Sequence, residues 1–134
     1  MTVQHSDTVR QARLNAIEST IGATPFLDLR SGAQPADCST AAAGTLIAHI
    51  ALPSDWLANA AGETKVLSGI WSGSAIADGV VSHYRIMNAA NTVCHEQGSV
   101  TAASGGGDLE LDNTNVANSQ TVTISTWSYT EGNP

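Results

Sequence analysis

The spacing of apolar and polar positions divides the chain into one helical segment followed by a succession of short β-prone runs. Over residues 6–21, Val9, Leu14, Ala16, Ile17 and Ile21 fall in one sector at the helical repeat, while Gln11, Asn15, Glu18 and Ser19 fall opposite. Ser6 or Asp7 supplies the N-cap and Gly22 the stop, so the span reads as an amphipathic helix with one buried face. Arg10 and Arg13 lie inside the apolar sector near its start, where such side chains either reach for solvent or meet a partner's carboxylates.

Beyond Gly22 the period changes to two. Residues 26–30 form the first expected strand and residues 45–52 the clearest one, with Leu46, Ala48, Ile50 and Leu52 on one side and Thr45, Ile47, His49 and Ala51 on the other. Both sides are largely apolar, which places this strand centrally in a sheet or under the helix. Residues 31–44 make a long loop without periodicity. Residues 54–61 read as a short helix capped by Ser54 and stopped by Gly62, with Trp56 plugging the edge of the core.

A further strand is expected over residues 64–72, and residues 80–87 and 92–100 read as a hairpin closed by Asn88-Ala89-Ala90-Asn91. Symmetric closure sets Tyr84 opposite His95, His83 opposite Glu96 and Arg85 opposite Cys94. Val80, Tyr84, Ile86, Val93 and His95 then face the core, and His83, Arg85, Cys94 and Glu96 face outward. Ser104-Gly105-Gly106-Gly107 is a flexible tip, after which Leu109 and Leu111 point inward between Asp108, Glu110 and Asp112. The last strand, residues 120–130, shifts its apolar phase, which predicts a β-bulge near Ser125 or Thr126. Without repeats or a linker, residues 1–134 form a single domain. An N-terminal arm and helix (1–22) dock on a mainly β body (23–134), a single β-sandwich or jelly-roll-like barrel of six to seven antiparallel strands.

Composition narrows the function. Twelve acids stand against four arginines and one lysine, a net charge of −7, and only 13% of residues are charged, about half the roughly 25% of ordinary globular proteins. So few cations cannot neutralise a run of phosphates or an anionic bilayer surface, and neither a nucleic-acid nor a membrane partner is expected. The longest apolar run, residues 46–52, is interrupted by His49 and is far too short to span a bilayer. The opening residues lack the basic start and apolar core of a signal peptide, so a soluble chain made in the cytoplasm is expected. In that compartment Cys38 and Cys94 read as free thiols, with a single bridge open to them if the fold brings them together.

Candidate chemistry is sparse. Asp108, Glu110 and Asp112, with Asn113 and Asn115, offer oxygen ligands for a weak calcium site, but not at EF-hand spacing. Nothing supplies these acids with the groove of a glycosidase. Cys94-His95-Glu96 cannot converge on one ion or form a nucleophile–base pair, because adjacent strand residues point to opposite faces. There is no Gly-x-Ser-x-Gly, phosphate-binding glycine loop or two-histidine metal motif, so neither catalytic residues nor a cofactor are expected. Trp56, Trp71, Trp127, Tyr84 and Tyr129 are scattered among apolar positions and read as core.

Several stretches carry a resemblance: Ile21-Gly22-Ala23-Thr24-Pro25, Leu29-Arg30-Ser31-Gly32-Ala33-Gln34-Pro35, Leu52-Pro53-Ser54-Asp55-Trp56 and Tyr84-Arg85-Ile86. His95-Glu96-Gln97-Gly98-Ser99-Val100, Leu111-Asp112-Asn113-Thr114-Asn115-Val116 and Gln120-Thr121-Val122-Thr123-Ile124 follow. In this order the chain resembles small proteins encoded in the structural modules of tailed bacteriophages and prophages. The resemblance implies a virion structural protein, in the first place a capsid decoration (cement) protein on the outer surface of the major capsid protein lattice. A homotrimer on local threefold positions, or a dimer on twofolds, is the matching assembly. A tail- or fibre-associated module binding host glycans through Trp71, Trp127, Tyr129 or His83, and a head-completion or neck protein, are the alternatives. Residues 1–13, with Val9, Arg10 and Arg13, and the charged group His83, Arg85 and Glu96 are the expected contacts with the capsid or a neighbouring protomer.

Overall fold

The computed structural model describes residues 2–131. Ser6 opens helix α1 (Asp7–Ile21) by accepting the Val9 amide on its Oγ at 3.3 Å, and Gly22 closes it by donating its own amide to the Glu18 carbonyl at 2.9 Å. The strands are β1 (Phe26–Arg30), β2 (Leu46–Ala51), β3 (Thr64–Val66), β4 (Trp71–Ser74), β5 (Gly79–Val80) and β6 (His83–Met87). They continue with β7 (Cys94–Ala102), β8 (Leu109–Leu111), β9 (Asn115–Val116), β10 (Thr121–Ile124) and β11 (Ser128–Thr130). The protein is thus mainly β, with one helix among the described residues.

Five strands form a curled half-barrel sheet in the order β2-β1-β6-β7-β8, and the pairs β10-β4, β11-β3 and β5-β9 form two-stranded ribbons. Ribbon β10-β4 prolongs the large sheet past β2, where Ala48 bridges Ala75 and the Ile76 amide donates to the Ile47 carbonyl at 2.7 Å. At the other end of the curl β8 approaches β10 across a cleft of about 190 Å³ lined by Leu111, Val116 and Val122.

Period-two alternation gives the large sheet two unlike faces. Leu27, Leu29, Ala48, Ile50, Tyr84, Ile86 and Val100 face the core, all nearly inaccessible to solvent. Against them runs an aromatic chain: Trp56, Trp71, Trp127 and Tyr129 follow at ring-centroid steps of 5.8, 5.7 and 5.6 Å, and Tyr84 meets Trp127 edge-on at 5.1 Å. The indoles also fasten backbone: Trp56 Nε1 donates to the Gly22 carbonyl at 3.1 Å, anchoring the end of α1, and Trp71 Nε1 donates to the Trp56 carbonyl at 3.2 Å. The expectation that these rings serve as core is met at Trp56, Trp71, Trp127 and Tyr84.

The helix is where the sequence expected it, but its buried stripe is rotated. Arg10, Leu14 and Ile21 are buried with Ile17 packed beside them, while Val9 is 42% exposed. Asn15 and Glu18, expected to face solvent, instead receive the ammonium of the fully buried Lys65, at 2.9 and 2.8 Å, and the Ala58 carbonyl completes its shell at 2.8 Å. A buried cation requires acceptors on all sides, and that requirement outweighs the apolar moment of a weakly amphipathic helix.

Other expectations are corrected. Residues 54–61 are not helical; they run extended, bridging Leu57 to Leu67 and Ala61 to Thr64, because Trp56 and Leu57 are both drawn into the core. The strand expected over 64–72 is broken at Gly69 (φ 73°), which divides it into β3 and β4. The final strand is interrupted at residues 125–127, where the phase shift occurs, and its two pieces pair with different partners. β8 runs parallel to β7, not antiparallel. Only residues 103–108 connect them, fewer than the roughly dozen residues usual for a parallel crossover, and the loop folds back so that the Gly107 amide donates to Thr101 Oγ1 at 3.0 Å.

The hairpin register also differs. Tyr84 pairs with Gly98, His83 with Ser99 and Arg85 with Gln97, a slip of three residues from symmetric closure. Asn88 absorbs the slip: its side-chain oxygen accepts the amides of Thr92 and Val93 at 2.8 and 3.1 Å, and Asn91 takes a positive φ of 56°. An odd slip exchanges the faces, so Glu96 moves to the core side beside Tyr84. Gly98 makes the pairing possible, because a Cβ there would stand 2.7 Å from the Tyr84 ring. That ring is wedged against Trp127 and cannot yield, so Gly98→Ala is expected to cost about 1–3 kcal/mol by overpacking, measured by urea denaturation; an unchanged midpoint would contradict this register.

Candidate functional site

Two regions gather the polar side chains. The first is the outer face of the large sheet, where one row crosses four strands: His49 (β2), Asp28 (β1), Arg85 (β6) and Gln97 (β7) are successive partners in register. Asp28 is buried and its carboxylate meets His49 Nδ1 at 2.5 Å, while Phe26 stacks on the imidazole at 4.0 Å. The acceptor at Nδ1 orients the ring and leaves Nε2 outward.

Arg85 is almost fully buried, although the sequence reading placed it on the surface. The cover is loop 31–44. Arg85 Nη2 donates to the carbonyls of Asp37, Cys38 and Thr40 at 3.1, 3.3 and 2.7 Å, and its Nε donates to Gln97 Oε1 at 3.2 Å. Gln97 in turn donates to the Pro35 carbonyl at 2.8 Å. Asp37 tightens the turn by accepting the Thr40 amide and hydroxyl at 2.8 and 2.9 Å, and the hydroxyl bond above all holds its carboxyl below the usual range. Gly44 (φ 72°) closes the loop where no side chain fits, since a Cβ would overlap the Ser31 carbonyl at 1.7 Å.

His83 is also buried, not exposed as expected. Its Nδ1 donates to the Gly32 carbonyl at 3.1 Å, and its Nε2 has no hydrogen-bond partner among the described residues. Burial pushes its pKa down, and the neighbouring Arg30 and Arg85 push the same way against the Gly32 bond.

The second region is a groove of about 350 Å³ between α1 and β7, lined by Arg13, Ile17, Thr20, His95 and Glu96. Glu96 sits half-buried at its floor and accepts the Tyr84 hydroxyl at 2.7 Å, with Tyr129 also directed to it. Burial pushes the Glu96 carboxyl up, against the pull of the tyrosine hydroxyls, and burial and then Glu96 push both phenols up. Arg13 borders the groove, exposed and paired with Glu131 at 2.8 Å. Arg10 is turned inward, held by Asp7 at 2.6 Å, Glu63 at 3.1 Å and the Glu131 carbonyl at 3.3 Å. The structure therefore brings Arg13 and Glu96 together, sets His83 and Arg85 together on the opposite sheet face, and leaves Val9 and Arg10 outside both.

The weak calcium candidate dissolves into local contacts. Asp108 accepts the Ser99 amide and hydroxyl, both at 2.9 Å, and the backbone bond first of all holds its carboxyl low. Glu110 reaches back to the Gly106 amide at 3.4 Å. Among the described residues no three His, Cys, Asp or Glu side chains converge as a metal site. Of the side chains considered for stacking sugars, Trp71 and His83 are fully buried, and Trp127 is buried but for a margin that lines a groove with Val66, Leu67 and Ser128.

The Asp28–His49 pair and the burial of Lys65 escaped the sequence reading. The signal for Asp28 was its phase: it shares a side with Arg30, away from Leu27 and Leu29, in the middle of an apolar strand. No family model, curated protein or solved structure matches the chain.

His83 makes stability depend on pH. Its folded pKa lies below its ordinary value, so on acidification through about 6.5 the unfolded chain takes up a proton that the folded chain refuses. Stability is expected to fall with a slope of up to about 1.4 kcal/mol per pH unit until the folded pKa is reached. Urea denaturation from pH 8 to 5 should show that component in the wild type and lose it in His83→Gln; parallel profiles for the two proteins would refute the assignment.

Proposed function

We propose that this chain is a virion structural protein of a tailed phage, a capsid decoration protein that binds the outer surface of the major capsid protein lattice and stabilises the head. It is made in the host cytoplasm and assembles as a homotrimer. The large sheet with its ribbons is read as one sandwich-like barrel. Beside the sequence resemblance, the observation that carries this reading is the allocation of charge and apolar area. Three of the five basic residues, Arg10, Lys65 and Arg85, are buried, whereas Ile70, Ile76 and Val80 are 78, 55 and 56% exposed. The surface left over is acidic, neutral-polar and dotted with aliphatic side chains, which suits broad contacts between protein subunits and repels phosphate. Small Ala, Ser and Thr side chains lose little rotamer entropy when such contacts form.

The contact surface is assigned to the arm before α1 and the outward sector of the helix. Val9 and Arg13 lie one turn apart and are both exposed, and the Arg13–Glu131 pair is of the surface kind that exchanges partners at little cost. Arg10 is excluded from it by its internal ion pairs.

Two measurements test the reading. Quantitative gel densitometry of purified particles should find the chain at a copy number comparable to the major capsid protein; a ring-like or handful stoichiometry would move it to the neck or tail. The double variant Val9→Ser/Arg13→Ser should retain its melting temperature yet bind undecorated capsids at least about tenfold more weakly. Unchanged occupancy would remove this surface from the interface.

A further inference from the structure

We propose that Cys38 and Cys94 close into a disulfide that clasps loop 31–44 to the start of β7. The two residues are 56 positions apart in sequence, yet their sulfurs lie 2.8 Å from each other, well inside the contact distance of unbonded sulfur atoms. The approach is imposed by the fold. Arg85 holds the carbonyls of Asp37, Cys38 and Thr40, so the backbone of Cys38 is pinned from the sheet side. Gln97 holds Pro35 at the other end of the same turn. Cys94 is fixed by its pairing with Met87 at the first position of β7. Oxidation therefore requires little movement of the chain.

Both cysteines are partly exposed, so a soluble oxidant reaches them. The oxidant is a small-molecule disulfide such as oxidised glutathione. The Cys38 thiolate attacks one of its sulfurs, the sulfur–sulfur bond breaks, and one glutathione thiolate leaves and takes up a proton. Cys94, once deprotonated, attacks the Cys38 sulfur of the mixed disulfide and expels the second glutathione as a thiol. The protein thus loses two electrons and two protons, and the glutathione disulfide gains them. Cys38 begins the exchange because burial, and then its neighbour Cys38, push the Cys94 thiol up to about 12.

The clasp is expected to remain open in a reducing cytoplasm and to close on exposure to an oxidising medium. It adds a covalent bond to a loop otherwise held by hydrogen bonds, over the buried His83 and Arg85. It stands on the loop geometry and does not depend on the virion assignment.

The test uses the full chain. Reduced protein is incubated with oxidised glutathione, denatured in iodoacetamide and weighed intact. The expected product is lighter by two hydrogens and takes up no alkyl group, whereas protein kept in phosphine reductant takes up one on each cysteine. Oxidation should raise Tm by on the order of 10 °C, and neither Cys38→Ser nor Cys94→Ser should show that rise. Two alkylated cysteines after oxidation, a lasting glutathione adduct or a bridge between two chains would overturn the proposal. So would a Tm indifferent to reduction in protein whose mass shows the bond formed.

Discussion

The guanidinium of Arg85 is the interaction on which the outer half of the molecule depends. It rises from the middle of the large sheet, next in register to Asp28, and meets three carbonyls of loop 31–44 that have no strand partner. A loop of this length would ordinarily lie in solvent, because its backbone polar groups need satisfaction. Here one delocalised cation with its donors in a fixed fork satisfies several of them together, and the loop becomes a lid over the sheet. His83, Cys94 and the Asp28–His49 pair owe their surroundings to that lid or to the row it covers.

The same device recurs with the other cations. Lys65 binds the helix to the β body through Glu18 and Asn15, and Arg10 binds the start of the helix to Glu63 and the Glu131 carbonyl. A chain with 5 basic residues against 12 acids thus uses its scarce positive charge as internal fasteners at the joints between elements. Acidic groups are left in excess outside. The low charge content first read as a bar to phosphate binding is, in three dimensions, a separation of charge between interior and surface.

Much of this was legible in the sequence and some was not, for identifiable reasons. Helix α1, β1 and β2 follow from caps and local periodicity, and their limits agree closely with the structure. The break near residue 125 was visible as a phase shift. The 54–61 segment was misread because a capping residue and a glycine stop imitate a helix, while the burial of Trp56 and Leu57 is a tertiary demand. The register of β6 and β7 depended on how Asn88 folds a four-residue turn, and a slip of three moved Glu96 to the core face; His83 and Arg85 kept the outer face and were buried there by loop 31–44. Arg10 is buried and Val9 exposed for a related reason: the ion pair of Arg10 with Glu63 and its hydrogen bond to the Glu131 carbonyl, both distant in sequence, outweigh an apolar moment. Neither the groove beneath α1 nor the proximity of Cys38 to Cys94 has a local signal, since each is made by segments that meet only when the sheet has curled.

The two ends of the described chain are joined: Arg10 reaches the Glu131 carbonyl and Arg13 its carboxylate, while β11, just before Glu131, pairs with β3 beneath the helix. Helix α1 therefore acquires its docking partners only from segments that follow it far along the chain. During translation α1 has neither Lys65 nor Glu131 to dock on, and every ribbon that closes the body pairs strands far apart in sequence. Folding of this topology is governed by long-range closure, which is slow to nucleate. The native state is reached only when α1 joins segments far from it in sequence, β3 and the Glu131 carbonyl behind β11.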